Sequence, residues 1–216
     1  MNWQAILLTA KLATIVSVLL LIIGMPVAYW LAFTRWRWKF LVEAVVALPL
    51  VLPPTVLGFY VLLLLGSQGT LAKWFRPLAF TFEGLVIASV LYSLPFAVQP
   101  FAAAFASVDR RLIAAAHTLG ASRWRTFSRV ILPLAFTGVL AGLVLTFAHT
   151  VGEFGVVLMV GGNIPGVTRT VSIDIYDSVQ ELNYAAANQT SLALLAFSFA
   201  VLAAVYASDR RWRVKL

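Results

Sequence analysis

Residues 109–133 read DRRLIAAAHTLGASRWRTFSRVILP, an amphipathic and basic stretch set between two long apolar runs. At 25 residues it is too long for an ordinary connection between helices. Leu112, Ala115, Ala116 and Leu119 recur at helical spacing. Gly120 stands where such a helix would stop, and a second amphipathic turn follows around Trp124, Phe127 and Val130 before Pro133 opens the next apolar run. The stretch therefore predicts a helix–turn–helix that stays in water while its flanks do not.

Those flanks set the class. Of the 216 residues, 62% are hydrophobic and 11% are charged, and eight acidic and sixteen basic side chains cannot cover the surface of a soluble domain. A helix needs about 20 apolar residues to cross ~30 Å of hydrocarbon. Residues 12–33, 41–66, 84–106, 131–160 and 185–207 each meet that length. The expected fold is all-α and integral to the membrane, with about five transmembrane helices in one domain over 1–216. The first apolar run is too long, and lacks the small-residue site, for a cleaved signal. The absence of cysteine excludes disulfides and thiolate chemistry.

Charge orients the bundle. Arg35-Trp36-Arg37-Trp38-Lys39, residues 109–133 and the tail 210–215 hold twelve of the sixteen basic residues. Lys11, Lys73, Arg76 and Arg169 are the remainder. The positive-inside rule places the three basic segments in the cytoplasm, which for five spans puts the amino terminus outside and the carboxyl terminus inside. Residues 161–184, with Asp174, Asp177 and Glu181, become an external loop. The net charge of +8 thus reports orientation and attraction to membrane lipid, and no nucleic-acid partner is expected.

At residue level, residues 109–133 resemble the EAA loop of permease subunits of binding-protein-dependent ABC importers. Ala115-Ala116 precede Gly120 by three residues, nine more lead to Val130, and Leu132-Pro133 close the pattern. The family's Glu is replaced by Ala114. The resemblance implies a type I importer permease whose loop is a coupling helix seated in a groove of an ATP-binding cassette subunit. The docking surface it implies comprises Leu112, Ala114, Ala115, Ala116, Leu119, Gly120, Ala121, Arg123 and Trp124. From the residues alone, an interfacial helix lying on lipid is the alternative.

Other runs resemble the molybdate and sulfate branch of the same family. These are Leu48-Pro49-Leu50-Val51-Leu52-Pro53-Pro54, Gly152-Glu153-Phe154-Gly155, Gly162-Asn163-Ile164-Pro165-Gly166 and Thr168-Arg169-Thr170. Residues 172–180 are closer to the molybdate members. The resemblance implies a molybdate importer in a bacterial inner membrane, served by an external molybdate-binding protein, with sulfate or tungstate as alternative cargo.

An oxyanion with two charges cannot enter hydrocarbon, so a hydrated path is required. Five helices barely enclose one, and a homodimer with the path on its two-fold axis is expected. The proline-broken second span and the glycine-interrupted fourth are its natural walls, because non-helical backbone at membrane depth must line a cavity or be covered by protein. Pro53, Pro54, Thr55, His149, Thr150, Gly152 and Glu153 are the candidate path or gate residues. For Pro26 and Pro95, a simple kink in a packed helix is the better reading. His149 lies four residues before Glu153, so an unbroken helix would let the two pair across one face. Many molybdate permeases carry Arg at that position. A carboxylate would repel the anion, so Glu153 is expected to brace a helix break or gate, against the alternative of a solvated interfacial side chain.

No Gly-x-x-x-x-Gly-Lys-Ser/Thr loop is present, so ATP and its Mg²⁺ are assigned to the partner subunit. No metal site, bound cofactor or catalytic constellation is expected in this chain. A membrane-embedded enzyme would need a pair of acid–base side chains. A proton-coupled secondary carrier would favour internal repeats.

Overall fold

The structure, a computed structural model, describes residues 2–69 and 76–213. Lys73 and Lys215, both counted above, lie outside the described residues. Among the described residues all regular structure is helical: α1 Trp3–Phe33, α2 Lys39–Val51, α3 Pro54–Leu65, α4 Phe82–Ala106, α5 Arg110–Thr118 and α6 Arg123–Thr126, then a π turn Phe127–Ile131, α7 Leu132–Gly152, α8 Gly155–Gly161, α9 Val171–Gln180 and α10 Tyr184–Arg213.

Helices α1, α4 and α7 form the centre. Leu12, Val16 and Leu20 of α1, Val98 and Phe101 of α4, and Val139 of α7 are buried there, and small residues let the helices approach closely. A Cβ on Gly24 would stand 3.3 Å from Val98, and one on Gly142 would stand 2.8 Å from Phe101.

Both ends of the bundle can be followed. At one end Tyr29 of α1 packs edge-on against Phe105 of α4 and Phe127 of the π turn. Lys39 and Glu43 of α2 share a groove there with Ala102 and Ala106, and Val201 and Val205 of α10 lie beside Ala104 and Leu134. At the other end Lys11 sits over the Phe82 ring, and the backbone amide of Leu78 donates to the Leu65 carbonyl at the end of α3. The pair α2–α3 therefore runs from one end to the other, a broken span and not a re-entrant hairpin, and α10 crosses as well. With α1, α4 and α7 this makes five crossings. The basic elbow at residues 35–39 and the basic hairpin at residues 109–133 gather at the Phe105 end.

The second span breaks for a local reason. A residue before proline is driven out of helical ψ. Leu52 (ψ 136°) and Pro53 (ψ 135°) both precede a proline, and α3 leaves α2 at 110°. Pro54 opens α3 at a position where its missing N–H costs nothing. Pro49, unlike the Pro53-Pro54 pair, does not break the helix and lies inside α2 just before its end. Pro26 and Pro95 also lie within continuous helices.

The segment 161–184, expected to be an external loop, contains a helix, α9. Thr168 explains the turn that precedes it. Its buried hydroxyl donates to the Gly161 carbonyl at 2.7 Å and accepts from the Ile164 amide at 2.9 Å. Gly162, Asn163 and Gly166 take positive φ around it. Arg169 reaches Asn163 and Asp177, while Asn2 donates to Asp174 and tethers α1 to α9. Two of the three acidic residues in this segment, Asp174 and Asp177, are thus engaged.

Candidate functional site: two helix breaks and a cytoplasm-type hairpin

The fourth span breaks two residues wide. Glu153 ends α7 in extended conformation (φ −67°, ψ 133°), and α8 restarts at Gly155. Flanking glycines weaken the helix where it parts. They also let the broken spans touch: a Cβ on Gly155 would stand 2.8 Å from Pro54, and one on Gly58 of α3 would stand 2.8 Å from Met159 of α8.

Between the breaks lies a cavity of about 560 Å³. Pro54 and Thr55 form one wall, Tyr92 of α4 another, and His149, Gly152 and Glu153 a third. Thr55 and Gly152 are exposed, so this side is open in the single chain. Pro53 caps α3 immediately beside it. Thr150, expected among the path residues, does not line the cavity. It is buried on the neighbouring face of α7, because its hydroxyl donates to the Thr146 carbonyl at 2.9 Å.

The expected pairing of His149 with Glu153 is not made. The helix ends at Gly152, so the one-face geometry of i,i+4 spacing no longer applies to Glu153. His149 turns instead to α4. Its Nδ1 lies 3.0 Å from Ser93 Oγ, its ring stacks on Phe96 at 3.8 Å, and Tyr92 lies 4.9 Å away. Ser93 Oγ is also 3.0 Å from Thr150 Oγ1. With Thr150 donating to Thr146, Ser93 must donate to Thr150 and accept from His149 Nδ1–H. The ring then offers its other nitrogen as an acceptor. Glu153 is 3% exposed, so it is not a solvated interfacial carboxylate, and neither of its oxygens has a hydrogen-bond partner.

Ser93 and Tyr92, and Ser89, which is buried one turn before Ser93 on α4, were not anticipated from the sequence. The signal was present in the four-residue spacing of the two serines inside an apolar run, which puts both hydroxyls on one helix face. Ser93 is eleven residues, about 16 Å, from the start of α4 at 1.5 Å per residue, so the cluster lies near mid-depth of a ~30 Å core.

The hairpin of residues 109–133 stands apart from the bundle. Asp109 caps α5 by accepting from the Arg111 amide. The helix ends in a Schellman turn: the Ala121 amide donates to Ala116 O and the Gly120 amide to His117 O, with Gly120 at φ +79°. Ser122 caps α6. Leu112, Ala114, Ala115, Leu119, Gly120, Arg123 and Trp124 are exposed, with Leu119 at 87% and Trp124 at 74%, while Ala116 and Ala121 are half-buried. The hairpin is held from behind by Phe127, which packs on Tyr29 and Phe105. Leu112, Leu119 and Trp124 thus present apolar surface on a firmly anchored base, as protein-interaction and membrane-interaction sites both do.

Residues 5–214 match the model of the binding-protein-dependent transport system inner membrane component family. The chain is 53% identical over 211 residues to the molybdenum transport system permease protein of Azotobacter vinelandii, covering 95% of this chain and 93% of that one. It is 39% identical over 184 residues to the corresponding Escherichia coli K12 protein, covering 83% and 80%. Among solved structures it superposes on an inward-facing methionine ABC transporter with TM-score 0.74 at 18% identity, covering 99% of both chains. A bacterial alginate importer gives TM-score 0.68 at 20% identity, covering 99% of this chain and 80% of that one.

Proposed function

Because the chain belongs to the family of binding-protein-dependent transport system inner membrane components, we propose that it is the channel-forming subunit of an ATP-driven molybdate importer. The observation that carries the cargo is the extent of identity with the molybdenum permeases, which covers nearly the whole chain. The chain is a multi-pass transport subunit, and ATP hydrolysis falls to a separate ATP-binding cassette subunit.

The division of labour follows from the geometry. The exposed face of α5 and the turn at Gly120 fit a groove on the ATPase, and Phe127 carries displacement of the hairpin to the ends of α1 and α4. The cavity between the breaks supplies neutral hydrogen-bonding groups, Thr55, Tyr92 and His149, which suit passage of an anion better than tight binding. Glu153, buried behind that wall without a hydrogen-bond partner, offers no donor to hold an anion there and fits a brace at the helix break. The open side of the cavity is closed by a second copy, giving a path on the two-fold axis. The basic Phe105 end faces the cytoplasm, and the α9 end receives an external molybdate-binding protein.

The deciding experiment is uptake into proteoliposomes holding the permease, its ATPase and its binding protein. ATP-dependent molybdate uptake is expected, reduced by tungstate more than by sulfate. Sulfate uptake that a molar excess of molybdate leaves unchanged would assign the chain to sulfate.

A further inference from the structure

We propose that the elbow between α1 and α2 is a binding site for one anionic phospholipid, its phosphate held by Arg35 and Arg37 and an acyl chain lying in the groove between α1, α2 and α4. The inference needs only that the chain spans a membrane, whichever way it faces.

Three independent features meet at the elbow. The first is charge. Arg35, Arg37 and Lys39 follow within five residues, and among the described residues only Lys39 has a carboxylate partner, Glu43 at 3.4 Å. Arg35 and Arg37 are exposed guanidiniums with no carboxylate to meet. Guanidinium forks match phosphate oxygens in pairs, which makes a phosphodiester the complementary ligand.

The second is an aromatic frame. Trp30 and Trp36 lie 5.9 Å apart, Trp38 and Phe40 5.8 Å apart, and Arg37 sits over the Trp38 ring at 5.0 Å. Trp36 and Trp38 are exposed, as side chains at headgroup depth are.

The third is the groove. A cavity of about 570 Å³ runs from Lys39 and Glu43 along Ala32, Val46, Ala47, Val98 and Ala102, with Gln99 its one other polar lining residue. From Lys39 to Ala47 the helix rises about 12 Å, most of the ~15 Å depth of one leaflet. Charge at the mouth and an apolar trough below it match an amphiphile. A free anion would leave the trough empty, and a zwitterionic lipid would bring its own cation beside the two arginines and offset their attraction for its phosphate.

The test uses the intact chain, delipidated in mild detergent and re-exposed to dioleoyl phosphatidylglycerol or dioleoyl phosphatidylcholine, with retained lipid read by native mass spectrometry. One tightly held phosphatidylglycerol per chain is expected. Arg35→Gln with Arg37→Gln should weaken it about 30-fold, from roughly fivefold per basic residue at a lipid surface. Ala103→Phe, which fills the groove from exposed Ala103 on α4, should weaken it while leaving both arginines in place. Arg76→Gln, at the other end, should change nothing. Equal retention of the two lipids, or retention unchanged in the double arginine variant, would overturn the proposal. So would a disulfide between two copies carrying Ala44→Cys, which would mark the groove as a protein interface.

Discussion

Ser93 Oγ stands between the His149 ring and Thr150, so one atom joins α4 to α7 near mid-depth. Ser93→Ala leaves both partners short of a hydrogen bond, at a cost of about 1–3 kcal/mol for a buried polar group stranded in this way. For a chain of this size that corresponds to a fall in Tm of roughly 2–10 °C in detergent. Ser17→Ala is the matched control, because Ser17 Oγ has no partner to lose. Glu153 gives the opposite expectation. Its carboxylate is buried without a donor, so the neutral isostere in Glu153→Gln should fold with a Tm at or above that of the wild type. A double-mutant cycle on His149 and Glu153 should show coupling within about 0.5 kcal/mol, the limit for residues that act independently. A larger coupling in thermal unfolding would mean that the two side chains meet after all.

At the scale of the element, Gly120 is the clearest target. No atom lies within 4 Å of where its Cβ would stand, so any penalty is one of backbone conformation and not of crowding. Alanine in that left-handed position costs roughly 1–2 kcal/mol, and a β-branched residue costs more. Gly120→Val should therefore misplace α5, and the variant should insert normally yet fail to co-purify with the ATPase. Gly120→Asn should retain it, since asparagine accepts that conformation. This turn was legible in the sequence because it is local: apolar spacing and a stop glycine fall within a dozen residues. The break at Pro53-Pro54 was legible for the same reason. What could not be read is what depends on partners far along the chain. The choice of His149 between Glu153 and Ser93 is made by α4, and α9 is ordered by Thr168, Asn2 and Thr9 reaching across the chain. Neither follows from a pattern within one segment.

At the scale of the molecule, the helices sort the charges. The basic elbow and the hairpin lie at one end, and Asp174, Asp177 and Glu181 lie at the other. Cysteines introduced singly at exposed Ser122 and Glu181 in this cysteine-free chain should therefore react with a membrane-impermeant maleimide from opposite sides. Labelling of Glu181→Cys from outside and of Ser122→Cys only after permeabilisation is the expected result. Labelling of both from one side would remove the five-crossing arrangement.

The near contacts of Gly58 with Met159 and of Gly155 with Pro54 carry a mechanical consequence. Each short helix is set off from its span by a non-helical joint, α3 at Leu52-Pro53 and α8 at Glu153-Phe154, and the joints are neighbours in space. If the gate opens by tilting these helices, two leaves clasped face to face would move as one shutter, and neither would open alone. Linking them should then leave the shutter free, and pinning it to the frame should jam it. A disulfide between Gly58→Cys and Met159→Cys is expected to spare uptake. One between Gly161→Cys and Leu85→Cys, which fastens α8 to α4, is expected to abolish uptake until a reductant is added.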